Sequence, residues 1–232
     1  GEEIKRSQQA TRLFEITKAL LQKLLDAGWD LPVDIWIPLL REYDPVLARM
    51  ARERGIEVWW YSIGWEIHED PLWSKALHWA SFANEVDGWL YYHLYDWVDR
   101  EQRLEDNAPL TAWRPYSEGT RSAYGTGAIV YWDRDGNPRP SLRLVNLREG
   151  FFDYDLLCLL RDRLEAVENA GPPSSFEEKL RRERARALLA LPWRTTLNEY
   201  VVDDAPGNAP AVARAIAQFR ADALRLVDEL GG

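Results

Sequence analysis

Apolar positions in this chain follow two periods, one helical and one strand-like, and they change over at glycines and prolines. Val33–Leu39 (VDIWIPL), Glu57–Trp65 and Gly88–Tyr95 are short runs rich in aromatic and β-branched residues. Runs of this kind predict buried strands. Between the first two, Asp44-Pro45 opens a helix that extends to Arg54-Gly55, with Pro45 suited to a first turn. Between the second and third, Trp73, Leu77, Trp79 (or Ala80) and Val86 fall at roughly helical spacing, and Ser74–Glu85 is long enough for three turns. Upstream, residues 1–26 begin polar and become helical, with Leu13, Ile16, Leu20, Leu21, Leu24 and Leu25 on one face and Ala27-Gly28 at the end. The first hundred residues therefore predict a helix followed by β-α-β-α-β, which implies a parallel sheet and an α/β class.

Beyond the third strand the pattern loosens. Residues 99–127 form a long polar loop in which Trp113, Tyr116 and Tyr124 are expected to act as anchors. A short strand, Ala128–Trp132, leads into a turn at Asp135-Gly136-Asn137-Pro138. Ser141 caps a long helix through about Glu168, with Leu144, Leu147, Phe151, Tyr154 and Leu157 on the buried side. Gly150 inside it points to close packing against another element. Phe176–Leu191 and Pro210–Leu230 are further amphipathic helices, joined by an irregular stretch containing Trp193 and Tyr200. The expected division is an α/β domain over residues 1–168, a linker at 169–175 and a helical extension over 176–232.

Charge and composition narrow the partners. A net charge of −9 over 232 residues, with pI near 5.0, argues against nucleic acid or an anionic membrane. The basic run Lys179–Arg186 alternates with Glu183 and reads as a solvated helix face. The lone Cys158, in a Leu-rich run, excludes an internal disulfide and reads as a small buried hydrophobe. His68, His78 and His93 make no metal pattern, so no metal and no cofactor is expected; His78 is expected on a helix surface and His93 in the core. No apolar run reaches the roughly 20 residues that span a bilayer. Cysteine usage leaves the compartment open, and a secreted or periplasmic parent protein is compatible with it.

The chemistry concentrates in residues 56–97, which hold seven of the twelve tryptophans. A carboxylate follows each of two strands, Glu66 after the first and Asp96 after the second. Ligands of parallel α/β folds sit at the carboxyl ends of strands. Aromatic planes beside acids suit a sugar, whose apolar face packs on a ring while its hydroxyls donate to carboxylates. The candidate substrate-binding residues are Trp60, Tyr61, Glu66, Tyr92, Tyr95, Asp96 and Trp97. Glu66 and Asp96 are also weak candidates for acid–base work, which would need a separation of about 5 Å in a retaining pair or about 6.5–9.5 Å in an inverting one.

The blocks VDIWIP, GIEVWWYSI, DGWLYYHLYDW, GTGAIVYW and PSLRLVNLREGFFDYDLLCLL, in that order, resemble the C-terminal half of the catalytic domain of glycoside hydrolase family 123. Ser141, Arg143, Arg148, Gly150, Asp153 and Tyr154 resemble the family's S-x-R…R-x-G…D-Y signature. The resemblance implies a (β/α)8 barrel of the TIM type, here its C-terminal part followed by helices. It also implies hydrolysis of β-linked N-acetylhexosamines, in which the sugar's own acetamido oxygen attacks while an adjacent Asp-Glu pair orients and protonates. This chain departs from that pattern: its one Asp-Glu dipeptide is Asp228-Glu229, in the terminal helix. Its predicted strands are also too few to close an eight-stranded barrel. The acid pair is thus expected on an upstream half in the same or another chain, and the chain alone is expected to be inactive. The alternative is a non-catalytic carbohydrate-binding or assembly module, with the open sheet face covered by a partner or by a second copy.

Overall fold

Leu13–Phe14 (β1), Ile35–Trp36 (β2), Glu57–Ser62 (β3) and Gly88–Tyr91 (β4) lie side by side, all parallel and in chain order. They are seen in a computed structural model that describes residues 13–14, 23, 26–28, 33–62, 70–91, 129–132 and 137–231. Register pairs Leu13 with Ile35, Trp36 with Val58, and Trp60 with Trp89. Pairing between the second and third strands resumes past β2, where Leu39 bridges Tyr61 and the Tyr61 N–H donates to the Pro38 carbonyl at 3.0 Å.

Pro45–Arg52 (α1) forms where the sequence predicts it. The Asp44 carboxylate caps its first turn, accepting from the N–H groups of Val46 (2.9 Å) and Leu47 (3.2 Å). Gly55, at φ +76, turns the chain toward β3 in a conformation that side chains disfavour. Leu47, Ala48 and Ala51 on α1 bury against Val33, Trp36, Ile56 and Val58. The turn before β4 is held through one carbonyl, that of Asn84, which accepts from Tyr43 Oη (3.1 Å) and Arg52 Nη2 (2.7 Å). Asp87 in the same turn accepts from the Val58 N–H at 2.9 Å. These elements form one compact unit.

A second unit is mostly helical. It contains Leu72–Ala83 (α2), the antiparallel pair Val130–Trp132 (β5) and Pro138–Pro140 (β6), Leu142–Asn169 (α3), Phe176–Leu189 (α4), Arg194–Val201 (α5) and Ala209–Gly231 (α6). Ser141 caps α3, accepting from the Leu144 N–H at 3.1 Å. Helices α2 and α3 cross closely at Gly150, which meets His78 and the Lys75 carbonyl. Ser74 Oγ reaches the Arg143 carbonyl (3.2 Å) and Asn146 Nδ2 donates to the Pro71 carbonyl (2.8 Å). The Trp73 indole donates to the Val201 carbonyl of α5 at 3.3 Å.

The chain is thus an α/β protein with a small parallel sheet and many helices. Several expectations need correction. The parallel sheet has a fourth strand, because Leu13–Phe14 pairs with β2 instead of lying on a helix. The predicted helix is seen only at its end, where the Ala27 N–H donates to the Lys23 carbonyl before Gly28 at φ +65. The strand near Trp132 belongs to the antiparallel pair β5–β6 rather than to the parallel sheet. The stretch with Trp193 and Tyr200 is not irregular, since it contains α5. Phe151 is 53% exposed and His78 only 5%, so the two exchange their expected environments. Cys158 is half-buried, and burial pushes its thiol pKa up. The expected loop 99–127, with Trp113, Tyr116 and Tyr124, lies outside the described residues, as do His68 and His93.

Candidate functional site

Alternation along β3 decides which aromatic rings are accessible. Successive side chains point to opposite faces, and Val58, Trp60 and Ser62 are buried while Glu57 is exposed and Trp59 and Tyr61 are half-buried. The buried set faces α1. Trp60 has no exposed surface and meets Tyr43 edge-on, with ring centroids 5.2 Å apart. Its indole N–H is buried with no hydrogen-bond partner among the described residues. Trp60 is therefore a core residue, and the expectation that it contacts substrate is corrected by its burial.

The opposite face carries Glu57, Trp59 and Tyr61, together with their register partners on the flanking strands. Leu39 stands beside Tyr61, and Leu90, 39% exposed, stands on its other side. The Trp59 indole lies over Gly88, where a Cβ would sit 2.5 Å from the ring. Its N–H donates to Glu57 Oε2 at 3.0 Å, which fixes the ring's direction. Trp59 was not among the predicted site residues. The signal for it was present: a glycine opening a strand beside a tryptophan-rich one marks close approach of a neighbour.

At the carboxyl end of the sheet, the Trp89 indole donates to Ser62 Oγ at 3.1 Å and its ring lies 5.3 Å from that of Tyr91. Of the predicted substrate residues, Tyr61 is the accessible one on this edge that the structure describes. Glu66, Tyr92, Tyr95, Asp96 and Trp97 lie outside the described residues. Among the described residues, no group of three or more His, Cys, Asp and Glu side chains is placed to hold a metal ion.

The helical unit holds a buried polar cluster built on α3. Asp153 has no exposed surface and is the centre of it. Its carboxylate accepts from the Trp79 indole (2.9 Å) and pairs with Lys75 Nζ (3.3 Å) and Arg220 Nε (3.0 Å). Arg148 instead pairs with its neighbour Glu149 at 2.9 Å, and that hydrogen bond is the main cause of the lowered Glu149 pKa. Arg143 is buried. One buried carboxylate between two cations ties α2, α3 and α6 together. No helix among the described residues is long and apolar enough to cross a membrane.

The family model described as "Glycoside hydrolase 123, catalytic domain" matches residues 3–160. No curated protein matches the chain.

Proposed function

The chain belongs to the glycoside hydrolase 123 family, and from that premise we propose that it forms part of a glycoside hydrolase acting on a β-linked N-acetylhexosamine-type sugar. The family match over residues 3–160 carries this reading. Strand order supports a barrel arc: a doubly wound sheet reverses direction at a switch point, whereas β1 to β4 advance one neighbour at a time. The sugar site then lies where β2, β3 and β4 end. Tyr61 contributes an aromatic face there, and Glu66, Tyr92, Tyr95, Asp96 and Trp97 follow the same two strands in sequence.

The acid pair of the reaction comes from elsewhere in the barrel. Asp228-Glu229 lies on α6, with Asp228 exposed, far along the chain from any strand end. In this reading the remaining strands and the acids belong to an upstream half, in the same polypeptide or in a partner chain. The lack of an Asp-Glu pair at a strand end also favours one alternative, a module that binds sugar without cleaving it.

One experiment separates the two. The chain is assayed for release of 4-nitrophenol from a 4-nitrophenyl β-N-acetylhexosaminide, alone and with any upstream segment of its coding sequence restored. Turnover only in the longer form supports the hydrolase reading. Turnover by the chain alone, abolished by Glu66→Gln or Asp96→Asn, places the acids here instead. Binding without turnover in both forms leaves the binding module.

A further inference from the structure

The helical unit contains a groove of about 440 Å³ between α4 and α6. Its lining runs from Arg184 to Glu229, wholly outside the residues that match the catalytic domain. We propose that this groove is a second, non-catalytic binding site for a short, uncharged oligosaccharide. The inference rests on the hydrolase reading for the class of sugar but not for the site.

Three features of the lining argue for a neutral, hydroxyl-rich ligand. The first is charge balance: Arg184 and Arg225 face Asp222 and Glu229, so the lining carries no net charge. The net charge of the lining therefore favours neither an anion nor a cation. The second is free hydrogen-bonding capacity. Arg225 pairs with Asp222 at 3.4 Å, and Asp222 also accepts from Gln218 at 2.8 Å. By contrast, the side chains of Arg184 and Glu229 make no hydrogen bond or ion pair among the described residues. One therefore offers donors and the other acceptors, as vicinal hydroxyls require. The third is an apolar plane. Phe219 lines the groove and is held from behind by the Trp193 ring at 5.7 Å, over a floor that includes the buried Leu188 and Leu226. The volume falls within the range of small-molecule sites, roughly 300–1,000 Å³.

The test is amide chemical-shift mapping of the whole chain titrated with N,N′-diacetylchitobiose. The expected result is a cluster of shifts in 184–188 and 219–229, with affinity falling roughly tenfold, about 1.4 kcal/mol, in Phe219→Ala. Glu229→Gln leaves the floor intact and should weaken binding too, so a folding defect in the first variant does not decide the matter. Shifts confined to the region of Tyr61, no shifts at all, or groove shifts that survive both substitutions would each overturn the site. Displacement by inorganic phosphate would also overturn it, by marking an anion site. Groove binding without hydrolysis by any form of the protein would sink the hydrolase reading alone. Hydrolysis without groove shifts would sink this inference alone.

Discussion

The imidazole of His78 on α2 lies directly against the α-carbon of Gly150 on α3, where an added Cβ would stand 2.9 Å from the ring carbon Cγ and nearer still to Nδ1. The Lys75 carbonyl closes the same space at 3.1 Å. On its own turn the ring meets the Ser74 carbonyl through Nδ1 at 3.1 Å, and its plane packs edge-to-face with Phe151 at 4.3 Å. One missing methyl group thus sets how closely the two helices approach, and the histidine fills the space that results.

Gly150→Ala should therefore destabilise the protein. Alanine gains up to about 1 kcal/mol of helix propensity at this position, but overpacking a tight crossing costs roughly 1–3 kcal/mol. A buried ring and a backbone carbonyl both oppose relaxation, so the steric term should win. Urea denaturation would show a lower midpoint in the variant. An equal or higher midpoint would mean that the helices separate freely and the crossing is not tight.

The same burial gives a pH dependence with a definite sign. Burial is the main cause that lowers the His78 pKa from 6.5 to about 4, against a smaller upward pull from the Ser74 carbonyl. The unfolded chain therefore binds the proton first, and stability rises with pH between about 4 and 6.5. On acidification through that window the protein should lose on the order of 1–3 kcal/mol. Denaturation midpoints at pH 7 and pH 5, for the native protein and for His78→Gln, check this. A slope unchanged by the substitution would assign the window to other groups.

What the sequence could reveal here depended on how local each signal is. Asp44-Pro45, Gly55 and Ser141 mark helix ends through their own backbone preferences, and those ends fall where they were expected. Gly150 announced a close approach, but not the partner, because His78 lies 72 residues away in sequence and no local pattern links the two. Leu13–Phe14 reads as helix in the sequence because two residues of a strand cannot display a period; only pairing with Ile35–Trp36 identifies them. Trp59, Trp60 and Tyr61 were legible as an alternating set. Which member faced the core was not, since that depends on where α1 packs.

Asp153→Asn tests the buried cluster. The substitution keeps the shape but leaves Lys75 and Arg220 beside a neutral group, with the Trp79 N–H facing an amide that can be turned either way. Breaking a buried pair costs about 3 kcal/mol or more. Arg148→Ala, which removes an exposed pair with Glu149, should cost less than about 1 kcal/mol. Calorimetric unfolding of the two variants should rank them in that order. Equal effects would mean that the Asp153 cluster is solvated in solution.

The last prediction sets two adjacent residues on β3 against each other. Trp60 is fully buried against Tyr43, whereas Tyr61 points to the opposite face, between Leu39 and Leu90. Trp60→Ala removes a large core side chain and should cost about 3–5 kcal/mol of stability. Tyr61→Ala should cost clearly less than that, because Tyr61 is only half-buried. Affinity for an N-acetylhexosamine should follow the reverse order. Loss of the Tyr61 ring should weaken binding by roughly 1–3 kcal/mol, the usual effect of truncating an aromatic contact. Folded Trp60→Phe protein should bind as the native one does. Denaturation midpoints and titration calorimetry on the same preparations give both rankings. If Trp60→Phe weakens binding and Tyr61→Ala does not, the sugar lies on the α1 side of the sheet and the proposed site is on the wrong face.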